Sequence, residues 1–256
     1  MNRLAIEAVT VCSGYADFLA ATAPYVRPLV DRWVVVTTPE DQETKDVCKK
    51  NSIECIVTNE HKRDGTFSKG RLIDRGLAFL RQDQWVLHLD ADVALPNDFH
   101  SCLADADLDP TKIYGCDRVN VLGYETWRKI EKKGLRSRSI PWMTSVSRDT
   151  CHVGARVCNP GHGWAPIGFF QLWHGSKGFR YPYHHGTAAR TDVAFSLQFD
   201  RRDRVLLPEL MVWHLESEPA KMGANWAGRK TARFGPTKSP GVSPQVPLSA
   251  DSVTSY

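Results

Sequence analysis

Apolar and polar positions alternate in blocks over the first ninety residues. Leu4–Cys12 is apolar and rich in β-formers, with Glu7 inside it. Ser13-Gly14-Tyr15 reads as a turn, and Asp17–Val30 has helical spacing limited by Pro24 and Pro28. Trp33–Thr37 is nearly all apolar, the pattern of a strand covered on both faces. Pro39 and the polar stretch Glu40–Lys50 predict a surface helix. Ile53–Val57 is a third strand, Ser68 is placed to cap a helix running to Leu80, and Trp85–Leu89 is a fourth strand. Strands separated by helices of this length predict βαβ units and a parallel sheet, with ligands at the carboxyl ends of the strands.

Beyond Pro96 the pattern loosens. Asp98–Ala106 is a candidate helix, and residues 110–180 read as long loops rich in Gly, Trp, His and Arg. Asp192–Phe199 predicts a short helix and Val205–Trp213 a strand. The expected organisation is one α/β domain over residues 1–234, followed by a flexible Pro/Ser-rich tail over 235–256.

The chain has 256 residues, 42% of them hydrophobic and 24% charged, enough for one sizeable core. No apolar run reaches the length of about 18 residues that a membrane span needs. The N-terminus lacks a small-residue cleavage site and is expected to be the first strand, not a signal peptide. Seven scattered cysteines with no C-x-x-C pair favour reduced thiols and a cytoplasmic setting. The net charge is +4, concentrated in two places. Residues 219–256 hold five basic residues and one acid, and Arg128–Arg138 holds six and one. Such runs can attract phosphate or an anionic polymer, or simply form a solvated surface.

The strongest chemical signal is Trp85-Val-Leu-His-Leu-Asp90-Ala-Asp92. A buried strand delivers two carboxylates to its end, and on extended chain alternate residues share a direction. Hard oxygen ligands of this kind suit Mn²⁺ or Mg²⁺ bridging diphosphate oxygens.

Leu89-Asp90-Ala91-Asp92-Val93 after an apolar strand resembles the DxD motif of GT-A glycosyltransferases, particularly the family 2-like group. The resemblance extends over roughly residues 4–99 and, more loosely, 160–216. It implies a GT-A, Rossmann-like fold with long acceptor-side loops, and a nucleotide-sugar donor. It assigns Asp90 to the donor and Asp92 to the metal. Cys12, Ser13, Gly14 and Tyr15 match the family's nucleoside-holding loop, where small residues permit close approach and Tyr15 can stack on a base. Lys69 and Arg71, at a helix start, match a region near base and diphosphate. His214, after the last apolar strand, matches a further metal ligand. Asp192 in Arg190-Thr191-Asp192 stands where inverting members carry the catalytic base, although Thr191 occupies a position usually acidic. The stretch around Trp164, Gly168, Phe170, Gln171 and Trp173 resembles the acceptor-side loop. His184-His185 is a poor metal pair, because adjacent side chains on extended chain diverge, and no Cys/His spacing fits zinc.

The expected reaction is transfer of a hexose from a UDP- or GDP-sugar to a hydroxyl. The acceptor is either a saccharide or a hydroxymethylated base in DNA, as with some phage glucosyltransferases acting in the host cytoplasm. Aromatic residues among the basic ones (Trp127, Trp142, Trp226, Phe234) suit stacking on either. Two other classes compete. A metal-dependent nucleotidyltransferase would share the carboxylate chemistry but needs a richer Gly loop than Ser13-Gly14. A non-catalytic nucleic-acid-binding protein would use the basic runs and would not need carboxylates at a strand end.

Overall fold

The computed structural model describes residues 3–60, 68–137, 151–153, 157–159, 161–183, 191–217 and 231–236. Strands and helices alternate as β1 (Ile6–Val11), α1 (Ala16–Val26), β2 (Arg32–Thr37), α2 (Gln42–Lys50), β3 (Glu54–Val57), α3 (Lys69–Leu77) and β4 (Trp85–Leu89). Then follow β5 (Val93–Ala94), α4 (Phe99–Ala104), β6 (Ile113–Leu122), α5 (Tyr124–Glu131), β7 (Cys151–Val153), β8 (Val157–Asn159), β9 (Gly163–Ala165) and β10 (Phe170–His174). The last elements are α6 (Thr191–Ser196), β11 (Arg204–Glu216), β12 (Thr231–Ala232) and β13 (Gly235–Pro236).

The main sheet has nine strands in the order β3-β2-β1-β4-β10-β6-β11-β5, with β7 beside β6. β3, β2, β1 and β4 run parallel, as their helical crossovers require. β10 enters antiparallel between β4 and β6, and β11 is parallel to β6. The result is an α/β molecule with a mostly parallel sheet flanked by helices.

Helices cover both faces. Leu19 and Val26 of α1, Cys48 of α2 and Phe99 of α4 pack on one face with Ile6, Val35 and Leu87. Leu72 and Leu77 of α3 and Phe195 of α6 pack on the other with Val9, Val34 and Val86. Among the described residues no helix is long and apolar enough to cross a membrane, and Cys12, Cys48, Cys55 and Cys116 are in no disulfide.

Local chemistry shifts several boundaries. α2 begins after Asp41, whose carboxylate accepts the Thr44 N–H at 3.0 Å, and not at Pro39. Ser68 occupies the N-cap of α3 but its side chain makes no capping bond, and the helix ends at Leu77, short of Leu80. Pro24 lies near the end of α1, which tightens into a 3-10 turn at Arg27–Leu29. The larger departure lies in residues 110–180. This stretch, expected as loops, supplies β6 and β10, two strands in the middle of the sheet. Both are buried on two faces, so they show no alternation, and the polar Asp117, Arg118 and Asn120 in β6 and Gln171 in β10 mask an apolar run. Residues 237–256 of the expected tail lie outside the described residues, while Gly235–Pro236 pairs with Thr231–Ala232.

Gly76 shows how closely α3 meets the sheet. A Cβ there would lie 2.4 Å from Val9 Cγ2 and 2.8 Å from Val36 Cγ2. Alanine would add about 1 kcal/mol of helix propensity, but overpacking costs about 1–3 kcal/mol, so the clash wins. Gly76→Ala is therefore expected to lower the urea unfolding midpoint, and a raised midpoint would show that α3 can move off the sheet freely.

Candidate active site

β4 does not run extended through its two acids. The chain turns there, with Val93 N–H donating to the Asp90 carbonyl at 3.2 Å, an i to i+3 turn. The extended geometry expected for Asp90-Ala91-Asp92 is thus replaced, and the two carboxylates meet different partners. Asp90 Oδ1 accepts from Lys69 Nζ at 2.6 Å, across from the first residue of α3. Burial alone would raise the Asp90 carboxyl, but the Lys69 ammonium holds it below the usual carboxylate range. Burial likewise opposes charge on Lys69, and Asp90 more than offsets it.

Asp92 is 8% exposed and His214 7%. His214 sits on β11, whose antiparallel pairing with β5 sets it opposite Val93. Its Nε2 lies 3.7 Å from Asp92 Oδ1, and its Nδ1 3.6 Å from Glu216 Oε1. The backbone is fixed as well, since Leu215 N–H donates to the Asp92 carbonyl at 2.8 Å. Asp92 Oδ1 is buried with no hydrogen-bond partner. Burial raises the Asp92 carboxyl, and Asp90 adds to this against the pull of His214. An orphaned, buried anionic oxygen beside an imidazole is a donor set that a divalent cation fits. Among the described residues no three His, Cys, Asp or Glu side chains gather as a ready-made cage. Mg²⁺ and Mn²⁺ commonly take one or two protein ligands and complete their shell with water and phosphate.

A buried polar hub supports this end of the sheet. His88, one residue before Leu89, is fully buried, and its Nδ1 lies 3.2 Å from Gln171 Oε1 and 2.9 Å from the Tyr181 hydroxyl. An amide oxygen only accepts, so Nδ1 carries the proton. Burial, and then Lys69, depress His88 to about 4, so the ring is neutral at pH 7. Its unprotonated Nε2 lies 3.8 Å from Asp90 Oδ1 without a hydrogen-bond partner. Gln171 Nε2 donates to the Asp192 carbonyl at 2.9 Å, to Ser196 Oγ at 2.8 Å and to the Pro166 carbonyl at 3.1 Å. One amide thus connects β4 to the start of α6.

Asp192 uses both carboxylate oxygens on backbone. Oδ2 accepts the Gly168 N–H at 2.5 Å and Oδ1 accepts the Val193 N–H at 2.9 Å. A Cβ on Gly168 would fall 2.9 Å from Asp192 Cβ, so only glycine permits this approach. The Asp192 charge also bears on Lys69 and His88, which puts it beside the same strand end.

The loop after β1 is pinned from two sides. Gly14, at φ +72°, donates its N–H to Asp41 Oδ2 at 2.7 Å, and its carbonyl accepts the Thr231 N–H at 2.9 Å. Ser13 and Tyr15 are partly exposed there. Cys12 is buried with its thiol 3.3 Å from Thr44 Oγ1, and burial pushes that thiol up. Arg71 lies over the Tyr183 ring at 5.4 Å.

The acceptor-side stretch divides. Phe170 and Trp173, expected there, are core residues of β10: Phe170 packs edge-on against Phe99, and Trp173 packs against the stacked rings of Tyr181 and Phe195. Their strand is covered on both faces, which leaves them no opening to line. Gln171 is buried in the hub. Trp164, on β9, packs over Gly115. Trp127 and Phe234 are core residues as well. Trp142, Trp226, His184, His185, Arg138 and most of the basic run at residues 219–256 lie outside the described residues. Sequence reasoning missed Asp41, His88, Tyr181 and the Lys69–Asp90 pair. A histidine inside an otherwise apolar strand was the available signal for the hub.

No protein-family model and no curated protein matches the chain. Solved structures resemble it at low identity. A mannosyl-3-phosphoglycerate synthase from Rubrobacter xylanophilus aligns at 21% identity and TM-score 0.37, over 45% of this chain and 40% of that one. A glucosyl-3-phosphoglycerate synthase from Mycobacterium tuberculosis, in complex with Mn²⁺, UDP-glucose and phosphoglyceric acid, aligns at 14% and 0.49, over 83% of this chain and 72% of that one. The chain thus spans less than half the length of the first of these.

Replacing Lys69 by Met should reverse the electrostatics of Asp90. With the ammonium present, the depressed carboxyl contributes stability above about pH 4 that is lost as pH falls through its folded value. Without it, burial loses its chief opponent, and the Asp90 carboxyl should titrate above the usual range by ¹³C NMR. The variant should lose on the order of 1–3 kcal/mol at pH 7. An unshifted Asp90 titration would mean that water, and not Lys69, carries the charge.

Proposed function

We propose that the chain is a metal-dependent glycosyltransferase moving a hexose from a UDP- or GDP-sugar to an acceptor hydroxyl. The observation that carries this reading is the Asp92 carboxylate oxygen, buried and without a partner beside His214. Asp92 and His214 would hold the cation, which supplies Lewis-acid neutralisation of the departing nucleoside diphosphate. The Ser13–Tyr15 loop, held by Asp41, would receive the nucleoside. Lys69 keeps Asp90 ionised and oriented toward the donor, and Arg71 adds positive charge near the start of α3.

Asp192 is our candidate for the base that takes the acceptor proton. Its carboxylate anchors the Gly168 loop, and each oxygen retains a second lone pair for a hydroxyl. The hub of His88, Gln171 and Tyr181 fixes the distance between this carboxylate and the β4 end. Preorganisation of this kind lowers the reorganisation cost of the transition state.

Purified chain with Mn²⁺ should release UDP or GDP from a panel of nucleotide sugars. Asp92→Asn should reduce that turnover at least about a hundredfold without loss of fold. Full turnover in Asp92→Asn would sink the metal assignment, and pyrophosphate as the product would point to nucleotidyl transfer instead.

Asp192→Asn keeps an oxygen for the Gly168 N–H but removes the base. Transfer should fall by about 10²–10⁴-fold in kcat with donor affinity retained. Transfer at the normal rate would leave Asp192 as a loop anchor only.

A further inference from the structure

β6 carries a charged side chain that the proposed reaction does not yet use. Alternation along the strand puts Cys116, Arg118 and Asn120 on one face. The β6–β11 register sets Arg118 beside Val212 and Asn120 beside His214. The Arg118 guanidinium lies over the Phe169 ring, 4.6 Å from its centroid, and that ring is 6.4 Å from the His214 ring. Phe169 in turn gives its carbonyl to the Asp90 N–H at 3.4 Å. Arg118 therefore stands against the same strand end as Asp90 and Asp92, but on the side of β6 and β11. Lys69 approaches from α3, on the other side.

The aromatic face attracts the guanidinium charge yet accepts none of its in-plane N–H donors in a full hydrogen bond. Arg118 Nε is buried and has no partner. A buried guanidinium donor left open is an uncommon expense in a folded protein, and an oxyanion meeting the edge of the fork would remove it. The location selects which substrate brings that oxyanion. The nucleoside loop and Lys69 belong to the half of the sheet built on β1 and β4, whereas β6 lies beyond β10. Phe169 follows Gly168, whose N–H Asp192 holds. A molecule with its hydroxyl at Asp192 would extend along Phe169 toward Arg118.

We propose that Arg118 receives a carboxylate or phosphate group of the acceptor, so that the acceptor is an anionic hydroxy compound. The term acceptor rests on the transferase reading, while the oxyanion site stands on Arg118 and Phe169 alone.

Inorganic phosphate is the probe. In calorimetric titrations of the full chain preloaded with Mg²⁺ and UDP, phosphate should bind saturably. Affinity should fall about tenfold or more in Arg118→Gln and recover in part in Arg118→Lys, with UDP affinity changed less than about twofold. Asp92→Asn, titrated with phosphate without UDP preloading, separates the two readings, because it should lose metal-dependent UDP binding and keep phosphate binding. Phosphate affinity of wild-type strength in a folded Arg118→Gln, or no phosphate binding by the wild type, overturns the oxyanion site. Parallel losses of phosphate and UDP affinity would assign Arg118 to the donor diphosphate and overturn the acceptor assignment.

Discussion

The ion pair between Lys69 and Asp90 joins the first residue of α3 to the residue that follows β4. Two acids two positions apart at the end of a buried strand repel each other and resist burial. Lys69 removes one of these difficulties, and its contact fixes where α3 sits. α3 can then lie close on β1 and β2, through Gly76, and close on the chain at Pro182, whose carbonyl would be 2.2 Å from a Cβ on Gly70. Asp92 is left with the second difficulty, which His214 relieves only in part. The unequal treatment of two similar side chains is what gives the strand end a chemical direction.

Much of the first half of the fold could be read from the chain because its strands are short apolar runs separated by helices with polar faces. Trp33–Thr37 and Trp85–Leu89 declare themselves in this way, and Asp90 follows from the second. β6 and β10 do not, since each is sandwiched and carries polar residues that serve the interior. Gln171 is the clearest case: it lies in the middle of a strand and is fully buried, with its amide saturated by groups from β4, α6 and neighbouring loops. No local pattern encodes such a residue, because its partners are remote in sequence. Phe170 and Trp173 misled for the same reason, as aromatic side chains suit a sugar and a core equally well. The pairing of Asp90 with Lys69 was also hidden, since it depends on a turn in place of extended chain.

The sheet divides into two halves that meet at β4 and β10. On one side, β1 to β4 and their helices present the Gly14 loop and Lys69. On the other, β6 and β11 present Arg118, Asn120 and His214, and α6 presents Asp192. β10 runs antiparallel between them and contributes Gln171, whose contacts span the seam. A strand in that position limits relative motion of the two halves, because shifting it would break hydrogen bonds to β4 and β6 together.

The Thr231–Pro236 hairpin bears on how the molecule comes to be assembled. Phe234 inserts beside Phe18 and Tyr124, its N–H and the Thr231 hydroxyl both reach the Asp17 carboxylate, and the Thr231 N–H holds the Gly14 carbonyl. The glycine loop after the first strand is therefore latched by residues more than two hundred positions later. During synthesis from the N-terminus, the β1–β4 unit can collapse early, but this loop must wait for residue 234 to emerge before it is fastened. A nascent chain lacking that segment would own a nearly complete sheet and an unfastened glycine loop.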